Sequence, residues 1–465
     1  MSKIEQSANI SAAALQWVKE TLNASQISVE RMVVRREAWL VSIVTKAGAQ
    51  ERYFLRIDRN AQRGHPGKRG LKRETLLIGF LNDQTNIPAQ RIVAWSDEHC
   101  IAIQSFEAGR AELHRAPQAE QHEVMLEFMA IMANMHLIDV KDVDIPEFEI
   151  PPDAPAHSLM ELDAVDPQVN RHSSIDSTTI LGTFGKSWLR HHVPEHVERT
   201  CLLQGDTGAG NFLFEAGRVT AVVDWEWAHF GDPMEDLGNV WLRDFFTPSC
   251  NGDLSVYFSR YAELAGLQLD LGKITYYLVH QLVRSVISLP RLTRAPDWRS
   301  TVALNLGYQA LCDITLCEAM GLYHGVTRPQ IEPLTLSTDS DSGELYRVIA
   351  DQLEQGVAPD LNDAFARSLN AGAAEITRYL ERRHVNGPRA DELELQGING
   401  ILGERHQQLA DARLALNLML TNWRPDEAME IALIEHCWGV ASRNMTLMGP
   451  LVQRWDYCKL ATVNV

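Results

Sequence analysis

The stretch from Leu203 to Asp236, LQGDTGAGNFLFEAGRVTAVVDWEWAHFGDPMED, constrains what this chain can fold into more than any other. It reads as an apolar strand, a Gly-Asp pair, a loop of small residues, an Asn, a hairpin turning at Glu215–Arg218, a second apolar strand and an Asp. Asp206, Asn211 and Asp224 are thereby presented at strand ends and in a tight loop. Carboxylates beside apolar strands are costly to bury alone, so the pattern asks for a partner. Two oxygen donors, Asn211 and Asp224, suit a hard cation such as Mg²⁺, which keeps waters and phosphate oxygens in its other positions. Asp206, five residues before Asn211, stands where it can orient a hydroxyl and accept its proton. A positioned acceptor and a metal clamp on phosphates are what phosphoryl transfer needs.

The segments around this block divide the chain. A short helix over 10–24 precedes strand-like runs at Ile27–Val34, Trp39–Thr45 and Arg52–Ile57. Arg63–Gly70 (RGHPGKRG) reads as a mobile basic loop, followed by a helix over Lys72–Leu81 and strands at Ile92–Trp95 and Cys100–Phe106. Residues 1–108 thus form a small α+β lobe. Helical spacing dominates 109–332 outside the central block, beginning with the Met-rich stretch Gln118–Ile138. The polar run 333–343 reads as a linker. Beyond it, 344–465 forms a helical accessory domain, with Val348, Ile349, Leu353 and Val357 on one stripe and Leu409, Leu414, Leu416 and Leu420 on another. The fold class expected is α+β with an appended all-α C-terminal domain.

Composition narrows the partners. With 61 acids against 43 bases, the formal charge of −18 argues against nucleic acid or an anionic membrane, both of which reward basic surfaces. Seven Cys without a CxxC pair make a disulfide framework or structural zinc site a poor fit. The opening MSKIEQSANI lacks the basic-then-apolar pattern of a secretory signal, and no run approaches the ~18 apolar residues of a membrane span. A soluble protein of a reducing, cytoplasmic compartment is the expectation. His191, His192 and His196 read as a solvated helix face, and His136 as a brace in the core.

The central block resembles the aminoglycoside phosphotransferase and choline kinase-like family, whose loop reads His-Gly-Asp-x-x-x-x-Asn and whose next strand ends in Asp-Trp or Asp-Phe. The resemblance implies a protein kinase-like two-lobed fold, ATP and Mg²⁺ as cofactors, and a small hydroxylated molecule as substrate. It gives Asp206 the role of catalytic aspartate and Asn211 and Asp224 that of magnesium ligands, and Gly231-Asp232-Pro233 with Asp236 follows the family pattern, with Asp236 as a buried brace. In the N-terminal lobe it implies that Arg56 contacts the nucleotide phosphates, that Glu74 pairs with it, and that Gln104 or Ser105 lies at the adenine.

Three positions depart from the family. Gln204 stands for the family His; Arg35–Trp39, expected over the phosphates, has no Gly; and the loop after Asp206 reads Thr-Gly-Ala-Gly. That loop is similar to a subgroup related to the kinase-like domain of acyl-CoA dehydrogenase fusions, which implies a hydroxyacyl-CoA or another catabolic alcohol as acceptor. An aminoglycoside or macrolide kinase is the alternative, and a catalytically weak kinase-shaped binding module a third. The helical tail either covers the acceptor site or mediates homodimerisation.

Overall fold

A computed structural model describes residues 10–32, 37–65, 70–160, 162, 175–294, 296, 301–337, 343–422 and 426–464. The expected Val33–Val34 strand end, Arg35–Arg36, the Pro66–Arg69 part of the basic loop and the 338–342 part of the linker lie outside the described residues. The chain forms two compact units, one of residues 1–151, 198–269 and 461–465 and the other of 152–197 and 270–460.

The first unit opens with α1 (Ala12–Thr21), capped by the Ser11 side chain, and β1 (Ala24–Arg31), β2 (Ala38–Thr45) and β3 (Gln50–Ile57). After α2 (Leu71–Gln84), β4 (Ile92–Ser96) and β5 (Ile101–Ser105) complete a five-stranded antiparallel sheet in the order β1-β2-β3-β5-β4. Alternation sets its two faces. Trp39, Val41, Ile43, Leu55, Ile57, Ile101 and Ile103 turn to one side and bury against Ala14 and Val18 of α1 and against Leu22, just past its end. The residues between them, Arg56, Ala102 and Gln104 among them, take the opposite face, with Arg56 paired to Ala102 and Phe54 to Gln104 in register.

Helix α3 (Gln118–His136) buries Met125, Met129, Met132 and Met135 and packs on β6 (Cys201–Leu203) and on α5 (Ser255–Ala265). Thioethers fill such irregular gaps at little rotamer cost. The hairpin of β7 (Phe212–Glu215) and β8 (Arg218–Val222) turns through Ala216 and Gly217, both at positive φ, as a two-residue turn requires. β9 (His229–Gly231) pairs with β6. Asp232 then caps α4 (Pro233–Phe246), with Pro233 at its first position. The last described residues are stitched to this unit: the Trp241 indole donates to the Ala461 carbonyl at 2.8 Å, and Leu254 N–H to that of Thr462 at 2.9 Å.

The second unit is helical. Its longest element, Ala364–Leu402, carries Pro388 in its interior and ends at Gly403 in the left-handed conformation. Leu334, within the expected linker, is buried with Ala390 and Leu447. The structure leaves one of the two apolar stripes uncovered and corrects the other. Val348, Ile349 and Val357 are exposed at 43–47%, so their stripe is not a covered face. Leu414 is exposed while Leu416 and Leu420 are buried, because five residues from Leu409 is about 140° around a helix. His192 is not on a solvated face either: it stacks on Trp188 at 4.5 Å and hydrogen-bonds Glu430 at 3.0 Å, 238 residues away. All seven cysteines are free thiols. Among the described residues no helix is long and apolar enough to cross a membrane.

Candidate active site

The loop between β6 and β7 is built on close approaches of backbone. Gly205 has φ +78°, and a Cβ there would lie 2.3 Å from the Trp227 carbonyl oxygen. Only glycine meets both conditions. Asp236, fully buried on α4, accepts the N–H groups of Gln204 and Gly205 at 3.0 Å each and is held from behind by His136 Nε2 at 3.1 Å. With Asp236 as acceptor, His136 donates from Nε2 and accepts the Tyr261 hydroxyl at Nδ1, 2.7 Å away. Burial pushes the Tyr261 phenol well up and the Cys201 thiol to about 12, so both groups stay neutral beside the brace.

Gln204 occupies the centre of this arrangement. Its Nε2 donates to the carbonyls of Val223 at 3.0 Å and Asp224 at 2.9 Å, and its Oε1 accepts the Asp206 N–H at 3.1 Å. One amide therefore ties the Asp206 loop to the Asp224 turn, using a donor and an acceptor as the two nitrogens of a neutral histidine would. Asp224 itself sits at φ 59°, ψ 62°. That left-handed backbone is uncommon for a residue with a Cβ and is best tolerated by Asp and Asn.

Asn211 donates from Nδ2 to the Asp206 carbonyl at 2.6 Å and to Asp206 Oδ2 at 2.9 Å. Its amide nitrogen is committed, which leaves the side-chain oxygen as the ligand it can offer. The Asn211 carbonyl accepts the Val223 N–H at 2.9 Å, placing Asn211 one residue across from Asp224 in the hairpin ladder. Of the expected triad, Asp206 and Asn211 thus touch through side chains, and Asp224 joins them through Gln204 and the ladder.

Arg243, on α4, was not anticipated. Its Nε donates to Asp206 Oδ1 at 2.9 Å and its Nη2 to Oδ2. Gly208 makes room for it: a Cβ there would lie 2.7 Å from Arg243 Cβ. The pattern Asp-x-Gly-Asn-Val-Trp-Leu-Arg, which puts Arg243 seven residues (two helical turns) beyond Asp236, is the sequence trace of this contact, and spacing along α4 does not say which loop it meets.

On the sheet face opposite α1, Arg56 Nη1 lies 3.6 Å from Glu74 Oε1, both side chains largely buried. Gln104 is buried with its Nε2 lacking a hydrogen-bond partner. Ser105 is spent locally, donating to Glu107 and accepting the Arg91 N–H at 2.7 Å. Trp225 is buried, its indole donating to the Val222 carbonyl at 2.9 Å.

Residues 39–269 match the model of the phosphotransferase enzyme family. Over 81 residues the chain is 36% identical to acyl-CoA dehydrogenase family member 11 of Rattus norvegicus, a match covering 17% of this chain and 10% of that protein. Over 68 residues it is 40% identical to hygromycin-B 4-O-kinase of Escherichia coli, covering 14% of this chain and 19% of that protein. The chain thus spans at most 19% of the length of these curated relatives. Among solved structures it is similar to a thermostable mutant of aminoglycoside phosphotransferase APH(4)-Ia in ternary complex with ADP and hygromycin B, at TM-score 0.43 and 18% identity over 60% of this chain and 90% of that one. It is also similar to macrolide 2'-phosphotransferase MphH of Brachybacterium faecium, at TM-score 0.43 and 18% identity over 60% and 92%.

Proposed function

The stretch 39–269 belongs to the phosphotransferase enzyme family, and from that premise we propose that this protein transfers the γ-phosphoryl group of ATP to the hydroxyl of a small molecule. The observation that carries the proposal is the convergence of Asn211 and Arg243 on the Asp206 carboxylate, with Gln204 holding the Asp224 turn against that loop. Three donors occupy the Asp206 carboxylate, which has about four acceptor sites. The remaining site, on Oδ1, accepts the proton of a substrate hydroxyl as its oxygen attacks phosphorus. Asn211 and Asp224 offer an amide oxygen and a carboxylate, a donor set that fits Mg²⁺. Bound there, Mg²⁺ supplies charge neutralisation on the nucleotide phosphates. Arg56, steadied by Glu74, adds a fixed cation for the phosphates, and a guanidinium serves this role well. Positioning and electrostatics then account for most of the rate.

Two acceptor classes compete: a hydroxyacyl-CoA or other catabolic alcohol, on the resemblance of the Thr-Gly-Ala-Gly loop, and an aminoglycoside or macrolide, on the similarity to hygromycin-B 4-O-kinase. The experiment is ATP turnover with Mg²⁺ over 3- and 4-hydroxyacyl-CoA thioesters and hygromycin B, with Asp206→Ala as control. Acceptor-dependent ADP release that Asp206→Ala lowers by ~10²–10⁴ supports the reading. Equal, acceptor-independent rates in both proteins reject it in favour of a binding module.

A further inference from the structure

Within the helical unit lies a cavity of about 300 Å³, lined by none of the candidate active-site residues. By the ~30 Å³ share of one liquid water, that is room for on the order of ten non-hydrogen atoms. Its walls carry four arginines, and three of them are satisfied. Arg294 donates to both oxygens of Asp176 at 2.7 Å. Arg383 holds Asp391 at 2.7 and 2.9 Å, and Arg413 holds Glu394 by two bonds of 2.7 Å.

Arg443 is the exception. It is 8% exposed, lines the cavity, makes no hydrogen bond or ion pair among the described residues, and its Nε is buried without a partner. The acid whose charge most favours it, Glu394, is already engaged by Arg413. A buried guanidinium without a counter-charge is strongly unfavourable, so it signals a missing anion. Asp313, 7% exposed in the same wall, accepts the Thr178 hydroxyl at Oδ2 (2.7 Å), while its Oδ1 is buried without a partner. The cavity therefore presents one unmet cation and one unmet acceptor, with every other charge paired.

We propose that this cavity binds a small carboxylic acid that also bears a hydroxyl or amino group, its carboxylate forked by Arg443 and its donor taken by Asp313 Oδ1. Arginine matches a carboxylate bidentately, and ten or so heavy atoms accommodate a hydroxy acid or amino acid but not a nucleotide. The assignment is independent of the phosphotransferase reading, since it uses none of its residues.

The test uses the full chain without nucleotide, titrated with glycerate, serine, acetate and inorganic phosphate up to ~100 mM, and read by thermal shift and calorimetry. Glycerate or serine should bind saturably and at least ~10-fold more tightly than acetate, which lacks the donor. Arg443→Met should weaken that binding at least ~10-fold while raising the ligand-free melting temperature, because it removes an unpaired buried charge. Asp313→Asn should shrink the preference over acetate. If Arg443→Met fails to fold, Arg443→Lys keeps the charge without the fork and should bind with intermediate strength. No saturable response to glycerate or serine, a response to phosphate alone, or binding unchanged in the Arg443 variant would each overturn the proposal.

Discussion

Arg243 holds the Asp206 carboxylate in a two-point grip, with Nε on Oδ1 at 2.9 Å and Nη2 on Oδ2. A guanidinium fork fixes the plane of the carboxylate as well as its position. Asp206 is thereby pinned between α4 and Asn211, and the one acceptor site left to it points in a defined direction. Arg243→Met should leave nucleotide affinity within ~3-fold of wild type and lower kcat by ~10–100-fold, the scale of losing orientation rather than the base itself. Steady-state kinetics on the acceptor identified by turnover check this; a change in nucleotide KM with kcat intact would mean Arg243 serves the phosphates instead.

The amide of Gln204 bridges two loops by three hydrogen bonds. Gln204→Ala leaves the Asp206 N–H and two carbonyls without partners, at ~1 kcal/mol or more for each, so the unit should lose about 2–4 kcal/mol. Gln204→His should recover part of this, having one donor and one acceptor nitrogen. Chemical unfolding of the three proteins reads the order directly, and equal stability of wild type and Gln204→Ala would show the bridge to be idle.

Glu74 is buried and within 3.6 Å of Arg56. Glu74→Gln keeps the shape and removes the charge that positions the guanidinium. Affinity for MgATP should fall by ~10-fold, measured by calorimetry, because Arg56 then enters the site unaimed. Unchanged affinity would reduce the pair to a structural contact.

How far the sequence speaks depends on the distance over which an interaction is coded. The Asp206–Asn211 contact is local, five residues along one loop, and spacing alone brings the two together. The sheet was legible for the same reason: β2 and β3 are joined by a short turn and alternate cleanly. Arg243 reaches Asp206 from 37 residues away, across a helix whose direction no periodicity reports. Glu430 meets His192 from 238 residues away, so the histidine looked solvated. The Val348–Val357 stripe shows the converse limit: helical spacing says which residues share a face, not whether anything covers it.

Gly397 illustrates a packing constraint that propensity alone would misjudge. It lies inside the Ala364–Leu402 helix, where Ala is normally the better residue by ~1 kcal/mol. A Cβ there would fall 2.4 Å from His436 Nδ1. His436 is only part-buried, but its ring sits against this face of the helix and must shift to yield. Gly397→Ala should therefore destabilise the helical unit by ~1–3 kcal/mol, the usual range for overpacking. A stability gain in thermal unfolding would show that the imidazole yields.

His436 and Asp313 titrate against one another across the acid range. Burial pushes the Asp313 carboxyl up from 3.8 to about 7, and burial, with the nearby Arg443 charge, pulls His436 down from 6.5 to about 4. For Asp313 the folded state binds its proton more tightly than the unfolded chain; its contribution is complete below pH 3.8 and is lost as pH rises toward 7. For His436 the folded state binds its proton more weakly, so stability is complete above 6.5 and is lost as pH falls toward 4. Each slope is at most ~1.4 kcal/mol per pH unit, and between about pH 4 and 6.5 the two oppose. Asp313→Asn should remove the first, so that the variant's stability falls more steeply than wild type on acidification. His436→Gln should remove the second, so that its stability falls more steeply as pH rises. Unfolding curves for the three proteins at half-unit steps between pH 4.5 and 7.5 should therefore tilt in opposite directions; parallel curves would mean that neither group changes its proton affinity on folding.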